Sequence, residues 1–148
     1  MTQPYSSRRS LIVEALVAKL KLINGTGNYR TDLGNNVHPR LLFWDEVNEF
    51  PAVHVSAGNE QREYLPGGVQ NRFLSVTVRF YVKAEDPVAE IEKLLNDIEF
   101  VIEENGRLAY QDHLGAQTTR DILINSIDTD EGVLSPLGVG EILLQVRY

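Results

Sequence analysis

The chain has 148 residues, 43% hydrophobic and 24% charged, a globular composition long enough to bury roughly 70% of the surface that its unfolded form exposes. Cysteine is absent, which excludes a disulfide framework, thiolate-bound zinc, an iron–sulfur cluster and a thiol nucleophile. Fourteen basic residues stand against 21 acidic ones, a net charge of −7, so the basic footprint of a sequence-reading nucleic-acid binder is missing.

Residues 7–23 carry the first helical periodicity, with Ile12, Leu16, Leu20 and Ile23 in register. Ser6 or Ser7 is placed to cap it, because a hydroxyl accepts from the free N–H groups of a first turn. Asn24-Gly25 is read as its stop. The same residues form a glycosylation sequon with Thr26, which has no meaning without a secretory route. Val13 and Val17 widen the apolar arc beyond one stripe. Two explanations fit: burial both in the domain and against a neighbour, or a helix tucked under a long loop.

Glycines, asparagines and Pro39 punctuate residues 25–50. Within them Leu41-Leu42-Phe43-Trp44 reads as a short strand or a plug over the core. Residues 52–57 alternate as a strand, with Val53, Val55 and Ala57 on one side. The strongest strand pattern covers residues 72–83. Leu74, Val76, Val78, Phe80 and Val82 face one way; Ser75, Thr77, Arg79, Tyr81 and Lys83 face the other. Residues 59–71 between these two strands read as a long polar loop closed by Pro66-Gly67-Gly68.

A second helix follows. Asp86 caps it and Pro87 takes its first position, where the missing N–H costs nothing. Val88, Ile91, Leu94, Leu95, Ile98, Val101 and Ile102 form its apolar stripe. Glu90, Glu92, Asp97, Glu99, Glu103 and Glu104 are assigned to a solvated acidic face, and Asn105-Gly106 ends the helix. Phe100 points away from the stripe, among the charges. It is either an anchor for a partner or a ring over which a loop such as residues 59–71 folds. After a mixed segment come two strands. Residues 121–128 are apolar on both faces and read as central. Residues 141–148 alternate, and 129–140 form the loop between them.

The order predicts an α+β fold, a mostly antiparallel sheet with two α-helices packed on one face. Residues 1–148 read as one domain, with no repeat or linker. The opposite sheet face, with Thr77, Arg79, Tyr81, Gln145 and Arg147, is then either wet or an interface. No signal peptide or membrane span is legible, because Glu14, Lys19 and Lys21 break the first apolar segment. The chain is therefore expected in the cytosol where it is made.

Catalytic chemistry finds little footing. No G-x-S-x-G elbow exists, and His38, His54 and His113 are isolated in sequence. The Gly25-Thr26-Gly27 stretch lacks the third glycine of a dinucleotide fingerprint and follows a helix, not a strand. Asp128-Thr129-Asp130-Glu131-Gly132 lacks the terminal glutamate of a calcium loop and reads as an acidic turn.

Several short phrases carry more information. They are Tyr29-Arg30-Thr31-Asp32-Leu33-Gly34, Phe50-Pro51-Ala52-Val53-His54-Val55, Gly58-Asn59-Glu60, Phe80-Tyr81-Val82 and Asn96-Asp97-Ile98-Glu99. In this order, behind a long first helix, they resemble the tail terminator, or tail completion, proteins of long-tailed bacteriophages. The resemblance covers residues 8–147. It implies a sheet on two helices and a structural virion protein without catalysis or cofactor. It further implies a hexameric ring that docks on the last ring of the tail tube, stops its growth and presents a surface to the head–tail connector. In contractile tails such proteins also meet the sheath. DNA passes such a ring without being bound specifically, and no membrane is involved.

Six chains of net charge −7 carry −42, a lumen that phosphates would not stick to. Residues 59–71, with Glu63, Tyr64 and Leu65, are the candidate tube- or neighbour-facing element. Phe100, Arg79 and Tyr81 complete the candidate interface residues. Competing readings are a head-completion or neck adaptor ring, and a dimeric small-ligand domain on the same architecture.

Overall fold

The computed structural model describes residues 7–41 and 43–148, without the side chain of Trp44. Helix α1 spans Arg8–Leu20, and the Ser7 hydroxyl accepts the Ser10 backbone N–H at 3.2 Å. The alternative cap, Ser6, lies outside the described residues. Regular helix ends three residues earlier than the periodicity predicts. A tighter turn carries the chain on, with the Ile23 N–H donating to the Leu20 carbonyl at 3.1 Å. The Asn24 side chain then accepts the Thr26 N–H and hydroxyl at 3.0 and 2.7 Å, and Gly25 takes φ +76°.

Five strands form the main sheet: β1 Val37–His38, β2 Ala52–Tyr64, β3 Gln70–Lys83, β6 Asp121–Thr129 and β7 Leu137–Arg147. Their order is β1-β2-β3-β7-β6, and only the β1–β2 pair is parallel. A separate hairpin pairs β4 Ala109–Asp112 with β5 Gly115–Thr118. Helix α2 spans Pro87–Glu104, with the Asp86 carboxylate accepting the Ala89 N–H at 3.2 Å. The fold is α+β, as the element order predicts.

The core explains the layering. Leu74, Val76, Val78, Phe80 and Val82 of β3 are buried in one cluster with Ile12, Leu16 and Leu20 of α1 and Ile91, Leu94 and Ile98 of α2. Both helices therefore cover the same sheet face. Burying Phe80 completely contributes roughly 1.5–3 kcal/mol. Its ring lies over Gly140 of β7, its cross-strand partner, where a methyl group would collide with it. At Gly138 a methyl would meet Val82 and Ile91, so α2 sits close because β7 is bare there. The wide arc of α1 is buried inside the subunit, Val13 and Val17 included, between β2 and the β4–β5 hairpin.

Several sequence expectations change. Residues 121–129 form an edge strand, not a central one. Ile122 is buried but Leu123 is 52% exposed, so apolar residues on both faces did not mean burial on both. The expected loop at residues 59–71 is mostly paired strand: β2 runs to Tyr64 and β3 starts at Gln70. A bulge between Ala57 and Glu60 breaks the alternation, and the ribbon beyond it has no buried face to mark it. Residues 41–44 are not a strand. Phe43 is exposed, a 3₁₀ turn covers Trp44–Glu46, and Leu42 lies outside the described residues. The expected loop at residues 129–140 ends earlier, because the glycines of β7 hid its alternation.

Candidate interaction surfaces

The β2–β3 ribbon is the most prominent feature. Its pairing reaches Tyr64 and Gln70, whereas β7 accompanies β3 only from Phe73. The last three residues of the ribbon and its turn thus extend about 10 Å past the third strand. Tyr64 is 72% exposed, and Leu65 and Val69 are exposed beside it. Glu63 is also exposed, facing Asn71 across the ribbon.

The root of this arm is held firmly. The Glu60 carboxylate accepts from Arg62 at 2.7 Å and from the Tyr148 hydroxyl, with Arg9 at 4.0 Å. The guanidinium groups of Arg8 and Arg72 lie 5.0 and 5.5 Å from the Tyr148 ring centroid. Arg9 donates to the Gly58 carbonyl at the bulge. Burial pushes the Glu60 pKa up, but the hydrogen bonds from Tyr148 and Arg62 and the charges of Arg62 and Arg9 outweigh it, and the net shift is downward. The result is a fixed base with a free apolar tip.

Phe100 is half-buried. Tyr29, in the segment that follows α1, packs edge-on against it, 5.9 Å between centroids. One turn away, Asp97 departs from the solvated face assigned to it and is fully buried. Its carboxylate accepts the N–H groups of Arg30 and Thr31 at 2.9 and 2.8 Å and the Thr31 hydroxyl at 2.7 Å. Gly34 follows, with its N–H on the Ile23 carbonyl at 2.8 Å, where any side chain would strike the carbonyls of Lys21 and Ile23. The Tyr29–Gly34 phrase and the Asn96–Glu99 phrase therefore meet at one carboxylate.

The outer sheet face is only half open. Arg79 pairs with Glu141 at 2.6 Å and is partly exposed. Tyr81 is 3% exposed, packed with Val47, Phe50 and Val139, so the subunit does not present it. His54 is buried beside it, its ring 6.1 Å from Tyr81. Burial first, and the Arg79 charge second, lower its pKa to about 4.

The geometry also bears on chemical alternatives. His38 and His54 occupy paired positions of β1 and β2, a proximity that sequence spacing hid. Among the described residues no three His, Asp or Glu side chains cluster as metal ligands. The acidic turn is held by its own carboxylate, since Asp130 accepts the N–H groups of Leu134 and Val139 at 3.1 and 3.3 Å. No helix among the described residues is long and apolar enough to cross a membrane.

Comparison with known proteins decides what this arrangement belongs to. Residues 6–148 match the family model described as bacteriophage tail tube terminator protein. The chain is 36% identical over 149 residues to the tail tube terminator protein p142 of Escherichia phage T5, covering 95% of this chain and 92% of that one. The chain belongs to the bacteriophage tail tube terminator family. Terminators are structural tail components of the virion, not enzymes. Membership separates the chain from the neck-adaptor and small-ligand readings that the architecture alone left open. The arm, its latch and the Asp97 clasp are features of a terminator subunit. Glu63, Tyr64 and Leu65, expected in a loop, lie at the end of the paired ribbon and in its turn, and the β4–β5 hairpin was not foreseen, since its short polar strands carry no apolar alternation.

Proposed function

We propose that this terminator acts as a hexameric ring seated on the last ring of the tail tube, ending tube polymerisation and offering its other side to the head–tail connector. One observation carries the tube contact: the β2–β3 arm is fixed at its base and bare at its tip, where Tyr64, Leu65 and Val69 are exposed. An aromatic–aliphatic tip has nothing to gain from water and much to gain from a socket. Glu63 flanks it and tunes the fit. In contractile tails the same ring would also meet the sheath. No cofactor is needed, and DNA passes without specific contacts because the subunit charge is −7.

The test is a shortened arm. Glu63 and Asn71 are cross-strand partners, so replacing residues 64–70 by Asn-Gly closes the ribbon with a two-residue turn. The variant should fold with a nearly unchanged melting temperature and fail to cap purified tail tubes, which would then grow beyond normal length. Normal capping by the shortened variant would refute the arm as the tube contact.

A further inference from the structure

The end of the sheet opposite the arm carries a second built feature. The 14 residues of β3 separate the two ends by about 45 Å. At the far end, residues 130–136 join β6 to β7. This turn is ordered by its own bonds. Besides the two N–H groups on the Asp130 carboxylate, Val133 N–H donates to the Asp130 carbonyl at 3.1 Å and Leu137 N–H to the Leu134 carbonyl at 2.9 Å. Glu131 and Gly132 both take positive φ, +57° and +85°, which turns the chain sharply outward. The turn is fastened to the end of β3 by the Ala84 N–H on the Pro136 carbonyl at 3.0 Å.

So much ordering leaves apolar side chains in water. Val133 is 83% exposed, Leu134 44% and Val88 46%. They adjoin: a carbon placed on Gly132 would lie 3.1 Å from Val88 Cγ2. At the same end of the sheet, Glu85 between β3 and α2, Asp128 near the end of β6 and Glu131 in the turn are exposed, with no ion pair among the described residues. Of the bases on the flanking elements, Lys93 is tied to Glu90 and Arg79 to Glu141, leaving Lys83. Folding gains nothing from holding Val133 in the open, since it is equally wet in the unfolded chain. A preordered apolar knob gains only when something covers it.

We infer that Val88, Val133 and Leu134 form the docking knob for the head-side partner, a protein surface with an apolar socket rimmed by lysine or arginine. The unpaired acids select the basic rim and repel nucleic acid. A second copy is a poorer occupant. The arginines of its arm end are already engaged: Arg62 with Glu60, Arg147 with Asp121, Arg120 with Asn71 and Arg72 with the Tyr148 ring. The inference rests on the proposed terminator role, in which the arm faces the tube.

The experiment uses tails assembled with wild-type chain, with Val133→Asp, or with the double variant Glu85→Lys/Glu131→Lys. Each is mixed with purified filled heads of the same phage, and joined particles are counted in negative stain. Both variants should give capped tails of normal length, with the joined fraction reduced about tenfold or more. Joining at the wild-type level by both variants overturns the inference. Overlong tails with Val133→Asp also overturn it, because the knob would then serve the tube. So would end-to-end stacking of wild-type rings that Val133→Asp abolishes, since the occupant would be a second copy. If Val133→Asp does not fold, Val133→Ser is judged by the same criteria. Failure of the wild-type chain to cap tubes at all would instead strike the terminator reading on which this rests.

Discussion

A carboxylate shut away from water must find donors, and Asp97 finds three on the segment that follows α1. It clasps residues 30–31 to α2, and Tyr29 then reaches Phe100. Asp97→Ala leaves those N–H groups without an acceptor and should cost about 1–3 kcal/mol, read as a lower urea midpoint. His54 makes a different demand. Unfolded, it takes up a proton near pH 6.5; folded, only near about 4. Between these values the unfolded state holds more protons, so acid favours unfolding. Stability should be complete above pH 6.5 and decline as pH falls toward 4. His54→Gln should flatten that part of the curve. Glu60, lowered in the folded state, adds a further decline as pH falls through the ordinary carboxylate range and below it. Urea midpoints from about pH 2 to 8 separate the two.

At the scale of elements, the sheet is shaped by what is left out of β7. Gly140 accommodates the Phe80 ring, and a methyl group there forces the ring or the strand to move. Gly140→Ala should cost about 1–3 kcal/mol in thermal or urea unfolding. The edge strand β6 behaves oppositely. Leu123 is half in water already, so Leu123→Thr should change stability by about 0.5 kcal/mol or less. The ribbon shows why element identity and extent differ in legibility. The buried half of β3 announces itself by alternation, while residues 60–64 and 70–72 pair just as regularly without any apolar face. Pattern reading detects burial, and these strands have none.

The whole subunit is polar along its strands. An apolar-tipped arm on an arginine-rich base stands at one end, and an apolar knob among acids at the other. Side-by-side packing into a ring would set these ends on opposite faces. In the proposed hexamer six chains of −7 give −42, so the ring should elute freely from duplex DNA at moderate salt; tight retention would contradict a repulsive lumen. Light scattering on the purified chain, with negative-stain images of the same peak, should show the six-subunit mass and six-fold rings. A stable dimer would contradict the proposed hexamer.

Two helices, the buried strands and their common core face were legible in the residues themselves, because burial imposes a period on apolar side chains. So was the family, through phrases such as Tyr29–Gly34 and Asn96–Glu99. What those phrases do was not legible. Asp97 sits among glutamates in sequence and differs from them only because the turn after α1 delivers two backbone N–H groups and a hydroxyl to it. The same holds for Phe100, for the edge position of β6 and for the pairing of residues 60–64. Each depends on which distant segment lies alongside, a relation that chain folding creates and local pattern does not carry.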